Sequence, residues 1–195
     1  NQIAASFEQH KEEKNQEKKV ALYAKIDSLS LEASKFAIAN EYDKMVSSLG
    51  AKGTNAYTSN DETVYMNDIP SNEIEKWLKL EGERFQTLVL RLFHTELETV
   101  YEEFNRSQDS DNRWVYQGVL EGLLPNHPYG TQTTIGVGEH LKNPSLYNIH
   151  EYFETYYVPN NIAICLSGDL DPDQTVDIIE EYFGKWERKD VPEFF

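Results

Sequence analysis

The sequence predicts an α+β fold: an antiparallel-rich sheet with helices packed on one face, preceded by a helical hairpin. Two observations lead there. Apolar residues recur at helical spacing through most of the chain, whereas strand-formers gather in only a few short runs. Helices that interleave with few strands pack as a layer on one face of a sheet. The 195 residues are enough to bury a core, and 39% hydrophobic and 12% aromatic residues describe a chain that folds.

Residues 1–27 are polar, with the run Lys11-Glu12-Glu13-Lys14-Asn15-Gln16-Glu17-Lys18-Lys19 at their centre. Mixed signs at helical spacing predict a solvated helix. A second helix is expected from about Ser30 to Leu49, with Ala33, Phe36, Ala37, Met45, Val46 and Leu49 on its apolar side and Gly50 as its stop. The expected division is therefore residues 1–49 as a helical hairpin and 50–195 as an α+β domain.

From Thr54 to Ser59 and from Thr63 to Met66 the residues favour strands, and Asn60-Asp61-Glu62 forms a turn between them: a β-hairpin. Asn72 and Glu75 suit a capping box for a helix burying Ile74, Trp77, Leu78 and Phe85. A further helix starts near Thr95, with Glu98 completing a capping box. Its pattern resumes at Trp114, Val115, Val119 and Leu123, as one long helix or two, until Pro125. Another runs from about Ser145 to Tyr157. Ile162 to Leu166 reads as a short buried strand in which the lone Cys165 is a small core residue. Pro172 opens the last helix, which ends before Gly184.

Charge narrows the function. A net charge of −16 argues against nucleic acid and against anionic membrane surfaces. No apolar run is long enough to span a bilayer. A single cysteine gives neither a disulfide framework nor a thiolate metal cluster. His94, His127, His140 and His150 lack metal-binding spacing, and His94 reads as a turn histidine. There is no Gly-x-Ser-x-Gly elbow and no phosphate-cradling glycine loop.

The stretch with chemical promise is Phe93 to Phe104. Glu96 and Glu103 stand two helical turns apart on one face, roughly 10 Å along the axis, beside a stripe of Leu97, Val100 and Phe104. Two carboxylates beside an apolar stripe are costly to bury unless paired, protonated or metal-bound. The plainer alternative is an acidic, solvated helix.

Taken in order, the landmarks Gly53-Thr54-Asn55-Ala56-Tyr57-Thr58-Ser59, Glu96 with Glu103, Pro128-Tyr129-Gly130, Tyr156-Tyr157-Val158-Pro159-Asn160-Asn161 and Ser167-Gly168-Asp169 resemble the pitrilysin/insulinase family of zinc metallopeptidases. The resemblance covers roughly Glu41 to Trp186. It implies zinc in the complete enzyme, with Glu103 as a metal ligand and Glu96 supporting it from behind. It implies that Asn55, Ala56 and Thr58 receive the backbone of a peptide substrate by strand addition. A second peptidase-like domain or subunit would close the substrate chamber, a periplasmic location would fit, and the hairpin before Gly50 would be an insertion.

The family's inverted motif, His-x-x-Glu-His, supplies two zinc ligands and the catalytic base. Here only His10-Lys11-Glu12-Glu13-Lys14 approaches it, and Lys14 stands where a second histidine belongs. A protonated lysine cannot accept a metal. The chain is therefore read as a segment downstream of the motif, inactive alone and prone to self-association. The alternative is a non-catalytic, structural or peptide-binding relative. A third class, an unrelated helical scaffold, requires the hairpin at 54–66 not to form.

Overall fold

Why these residues settle into helices is clearest at the helix ends. The computed structural model describes residues 2–193. In chain order the elements are α1 (Gln2–Glu12), α2 (Gln16–Ser34), α3 (Glu41–Ser48), β1 (Lys52–Thr58), β2 (Thr63–Asp68), α4 (Ile74–Gln86), α5 (Phe93–Gln108), α6 (Asp111–Leu123), α7 (Pro128–Thr131), α8 (Gly138–Lys142), α9 (Leu146–Tyr156) and α10 (Pro172–Phe183). Short 3-10 turns precede α4 and follow α9. The class is α+β, with β1 and β2 forming a two-stranded sheet.

The N-terminal residues are helical, but not as the two expected arms. The charged run is interrupted: Asn15 caps α2 by accepting from the Lys18 amide at 3.1 Å. The expected second arm is broken between Lys35 and Asn40, where Asn40 takes a left-handed conformation (φ 53°). Phe36 and Met45, expected on a buried side, are exposed, while Val46 is fully buried. α3 ends as the sequence predicts. Gly50 (φ 87°) follows Leu49, the Gly50 amide donates to Ser47 O at 2.9 Å and the Ala51 amide to Val46 O at 3.0 Å. That pair of bonds is a Schellman stop.

The chain folds as two units. The first comprises residues 1–39, 56–65 and 91–146. Ala4, Phe7 and Ile26 are buried in it, and Phe7 meets the edge of the Phe93 ring at 5.8 Å. Gly138 opens α8 where a Cβ would lie 3.0 Å from the Phe104 ring of α5. α5 and α6 are separate helices. α6 turns an apolar side outward: Trp114, Val115, Tyr116, Val119 and Leu123 are each half to three-quarters exposed.

The second unit comprises residues 40–55, 66–90 and 147–195. Leu78, Val46 and Val158 are fully buried in it. α4 and α10 come close because Gly82 has no side chain; a Cβ there would lie 3.2 Å from Tyr182 O. Gln86 Nε2 donates to that same carbonyl at 3.1 Å. Phe85, Phe153 and Tyr157 form an aromatic stack, with Phe153 and Tyr157 4.7 Å apart. Glu81 is 3% exposed, a costly place for a carboxylate, and three groups make it tolerable. Tyr42 OH donates to it at 2.6 Å, Arg84 bridges it at 3.1 Å, and the Arg84 guanidinium lies 4.1 Å above the Tyr42 ring. Asn67 Nδ2 donates to Tyr42 OH at 2.8 Å and completes the network.

Ile162 to Leu166 is not a buried strand. Ile162 has extended dihedrals, and exposure alternates along the segment, but no ladder forms there among the described residues. A strand needs a hydrogen-bonded neighbour as well as β-branched residues, and the sequence shows only the second. Cys165 lies on the exposed side of that alternation, not in the core.

Candidate functional site

β1 and β2 form the hairpin that the strand-formers predict. Ser59 builds its tip. The Ser59 amide donates to Glu62 O at 2.8 Å, and its Oγ accepts from the amides of Asp61 and Glu62, both at 3.3 Å. Cross-strand side chains reinforce it: Thr54 Oγ1 donates to Asn67 at 3.0 Å, Thr58 and Thr63 hydroxyls lie 3.3 Å apart, and Tyr57 OH donates to Glu62 at 3.0 Å. All seven residues of β1 are exposed, Asn55, Ala56 and Thr58 among them. In a two-stranded sheet each strand lies at an edge, where a further strand can be added.

The carboxylate pair sits on α5. The helix begins at Phe93, two residues before the expected start; Leu92 precedes it without a side-chain cap, so the Thr95–Glu98 capping box does not form. Glu96 and Glu103 are both exposed, with neither ion pair nor side-chain hydrogen bond among the described residues. Tyr101 stacks on Phe104 at 6.3 Å along the same helix.

His94 departs from its expected role. It is 7% exposed and lies inside the first turn of α5, with its ring 5.3 Å from Tyr23 and 6.3 Å from Phe7. Its Nε2 faces Asp27 Oδ1 at 3.7 Å and Glu98 Oε1 at 3.9 Å. Burial, and then the nearby Glu98 carboxylate, raise the Tyr23 phenol above its ordinary range. This corner joins α1, α2 and α5; Phe7, Tyr23 and Phe93 lie in separate segments, so their spacing gave no sign of it.

A second pairing also escaped the sequence. Tyr129 OH donates to Asp61 at 2.5 Å, from α7 to the tip of the hairpin. That hydrogen bond holds the Tyr129 phenol above its ordinary range. Tyr129 is itself fixed: its amide donates to His127 Nδ1 at 3.2 Å, and the His127 ring meets its edge at 4.6 Å. Gly130 follows, and a Cβ there would lie 2.1 Å from Leu124 O. The Pro128-Tyr129-Gly130 signature and the Asp61 turn were both visible in the sequence, but not their meeting.

A catalytic zinc needs three protein ligands. Among the described residues no group of three His, Cys, Asp or Glu side chains converges to hold a metal. The donors present do not fit a complete zinc site, and no catalytic step is assigned to them.

A family model described as the Peptidase M16 inactive domain matches residues 145–195, a stretch that does not include Glu96 or Glu103. The chain is 28% identical over 161 residues to the zinc protease PqqE of Helicobacter pylori, covering 81% of this chain and 36% of that protein. A crystal structure of a protease from Helicobacter pylori superposes with a TM-score of 0.71 at 27% identity, covering 78% of this chain and 37% of that one. The first half of the periplasmic protease PqqL from Escherichia coli superposes with a TM-score of 0.70, covering 80% of this chain and 35% of that one; at 21% identity this likeness speaks for the fold. The chain spans about a third of the length of the Helicobacter pylori relatives and less of others. The chain is thus similar to zinc proteases of the pitrilysin/insulinase type, the family that the order of its landmarks resembles.

Proposed function

We propose that this chain is a segment of the N-terminal, catalytic-side domain of a zinc-dependent metalloendopeptidase, and that β1 holds the peptide to be cut. The observation that carries the reading is β1 itself, an edge strand with every residue exposed. Strand addition gives affinity through the main chain and specificity through alternate side chains. Asn55, Ala56 and Thr58 are the residues assigned to it. Glu103 is assigned as one metal ligand of the complete enzyme and Glu96 as its support; both exposed carboxylates are available for that role. The remaining ligands and the base would come from elsewhere in the complete protein, and a second peptidase-like domain or subunit would close the chamber. Residues 1–49 are taken as an insertion into the family domain, residues 50–195. A periplasmic location belongs to the same reading, and no helix among the described residues is long and apolar enough to cross a membrane.

One finding favours a second reading. The matched family model carries the description of an inactive domain, so a non-catalytic, peptide-binding relative is the alternative. The complete protein decides between them. Hydrolysis of a quenched fluorescent peptide with bound zinc supports the enzyme; peptide binding without hydrolysis or zinc supports the alternative. In an active protein, Ala56→Pro removes a backbone donor from β1 and is expected to cut kcat/KM severely at unchanged zinc content. Normal turnover by that variant removes β1 from the mechanism.

A further inference from the structure

The hairpin tip closes on its own turn and cross-strand bonds. Two strands alone are marginal in water, and β1 buries no side chain. A strand that is to receive a peptide must already be extended and held, because ordering it at the moment of binding costs affinity. Something outside the hairpin has to hold it. Within the first unit, Tyr129 reaches it from outside: its hydroxyl donates to the Asp61 carboxylate.

Tyr129 is built to hold a position. Its amide is tied to His127, its ring edge packs on the His127 imidazole, and Gly130 lets the α7 turn press against the last carbonyls of α6. Any side chain at Gly130 would collide with Leu124 O and lift the turn. The other end is equally prepared, because Ser59 Oγ binds the Asp61 amide and fixes the carboxylate-bearing residue in the turn.

The geometry points to a latch: Tyr129 anchors the hairpin tip through Asp61 and so sets the pose in which β1 meets a peptide. Tyr129 is a positioning residue, one that need not touch the substrate. The inference rests on the reading of β1 as the peptide-receiving strand, and its test separates the two.

Amide exchange at the tip, residues 56–59 and 62–65, is followed by NMR in the chain as it stands. The variants are Tyr129→Phe, Asp61→Ala, the double variant, and Asp61→Asn, which keeps an acceptor for the phenol. Tyr129→Phe and Asp61→Ala are expected to speed exchange about three- to tenfold, the double variant no more than either, and Asp61→Asn to restore most of the protection. Affinity for a capped peptide of alternating valine and lysine, by titration, is expected to fall by a similar factor in the same variants and to recover in Asp61→Asn. Unchanged exchange, or effects that add in the double variant, overturns the latch. Faster exchange with unchanged peptide affinity overturns its positioning role. If the wild-type chain binds no peptide, the reading of β1 fails, and with it the positioning role, while exchange still decides the latch.

Discussion

Removing one hydroxyl, in Tyr42→Phe, tests how the buried Glu81 is tolerated. The Tyr42 phenol donates to Glu81 at 2.6 Å and accepts from Asn67 at 2.8 Å, so the substitution strips a neutral donor from a buried carboxylate and leaves Arg84 as its remaining partner. A hydrogen bond to a charged group contributes about 1.5–3 kcal/mol, so a loss of about 2 kcal/mol at neutral pH is expected. The loss has a pH signature. Burial, and then the hydrogen bond and charge of Glu81, push the Tyr42 pKa up to about 12 from an ordinary value near 10. Between those values the folded chain keeps a proton that the unfolded chain has released, so this contribution is fully present below about pH 10 and is lost as pH rises toward 12. Two units correspond to a ceiling of about 2.7 kcal/mol; partial solvent access reduces this to about 1–2 kcal/mol. Urea unfolding of both proteins, followed by tryptophan fluorescence from pH 7 to pH 11, gives the difference directly. The wild-type advantage should be constant up to about pH 9.5 and shrink above pH 10. An advantage that stays flat across that window, or grows, refutes the account of Glu81 as a carboxylate held by the phenol.

His10 is buried between α1 and α2, and desolvation followed by the Lys19 charge lowers its pKa. The unfolded chain therefore binds the proton first, and stability is expected to fall as pH drops through about 6.5; His10→Gln should flatten that fall in circular-dichroism melts between pH 7 and pH 5. In the complete protein, Glu103→Gln is expected to lose bound zinc and nearly all hydrolysis, Glu96→Gln to keep most of its metal with a partial loss of activity, and Glu102→Gln to match wild type. Metal content by mass spectrometry checks this, and an empty site in Glu102→Gln would show that the register on α5 is wrong by one residue. The outward apolar side of α6 should drive self-association of the chain, visible by light scattering; Val115→Lys with Val119→Glu should abolish it, and a strictly monomeric wild type at high concentration would contradict the expectation.

What was legible in the sequence was what neighbouring residues decide among themselves. Gly50 ends α3 because only the last turn and the next two residues take part in that stop. Pro172 begins α10, with Asp171 capping Gln174 at 3.0 Å, for the same local reason. The β-hairpin needed only two runs of strand-formers and a turn. The break between Lys35 and Asn40 was hidden, since helix-forming Phe36 and Ala37 gave no local reason to stop. Glu81 illustrates the other limit: it reads as one more surface acid until Tyr42, 39 positions earlier, is known to reach it. Tyr129 and Asp61 are 68 positions apart, and periodicity carries no information over that distance. The order of landmarks pointed to the family without any of these contacts. The roles of Glu96 and Glu103 rest on that order, because α5 itself shows two exposed acids.

The close approach of α4 and α10 also has a consequence for synthesis. The Gly82 contact and the Gln86 bond to Tyr182 O span nearly a hundred residues of chain; the latter is separated by 96 positions. A ribosome adds about 5–20 residues per second, so α4 waits roughly 5–20 s after it is made before α10 can reach it. Throughout that interval the side of α4 that α10 will cover remains bare, and the second unit cannot be completed. The first unit has all of its residues once position 146 is made, so it can close earlier. During each round of translation there is thus a half-folded nascent chain with one side of α4 uncovered.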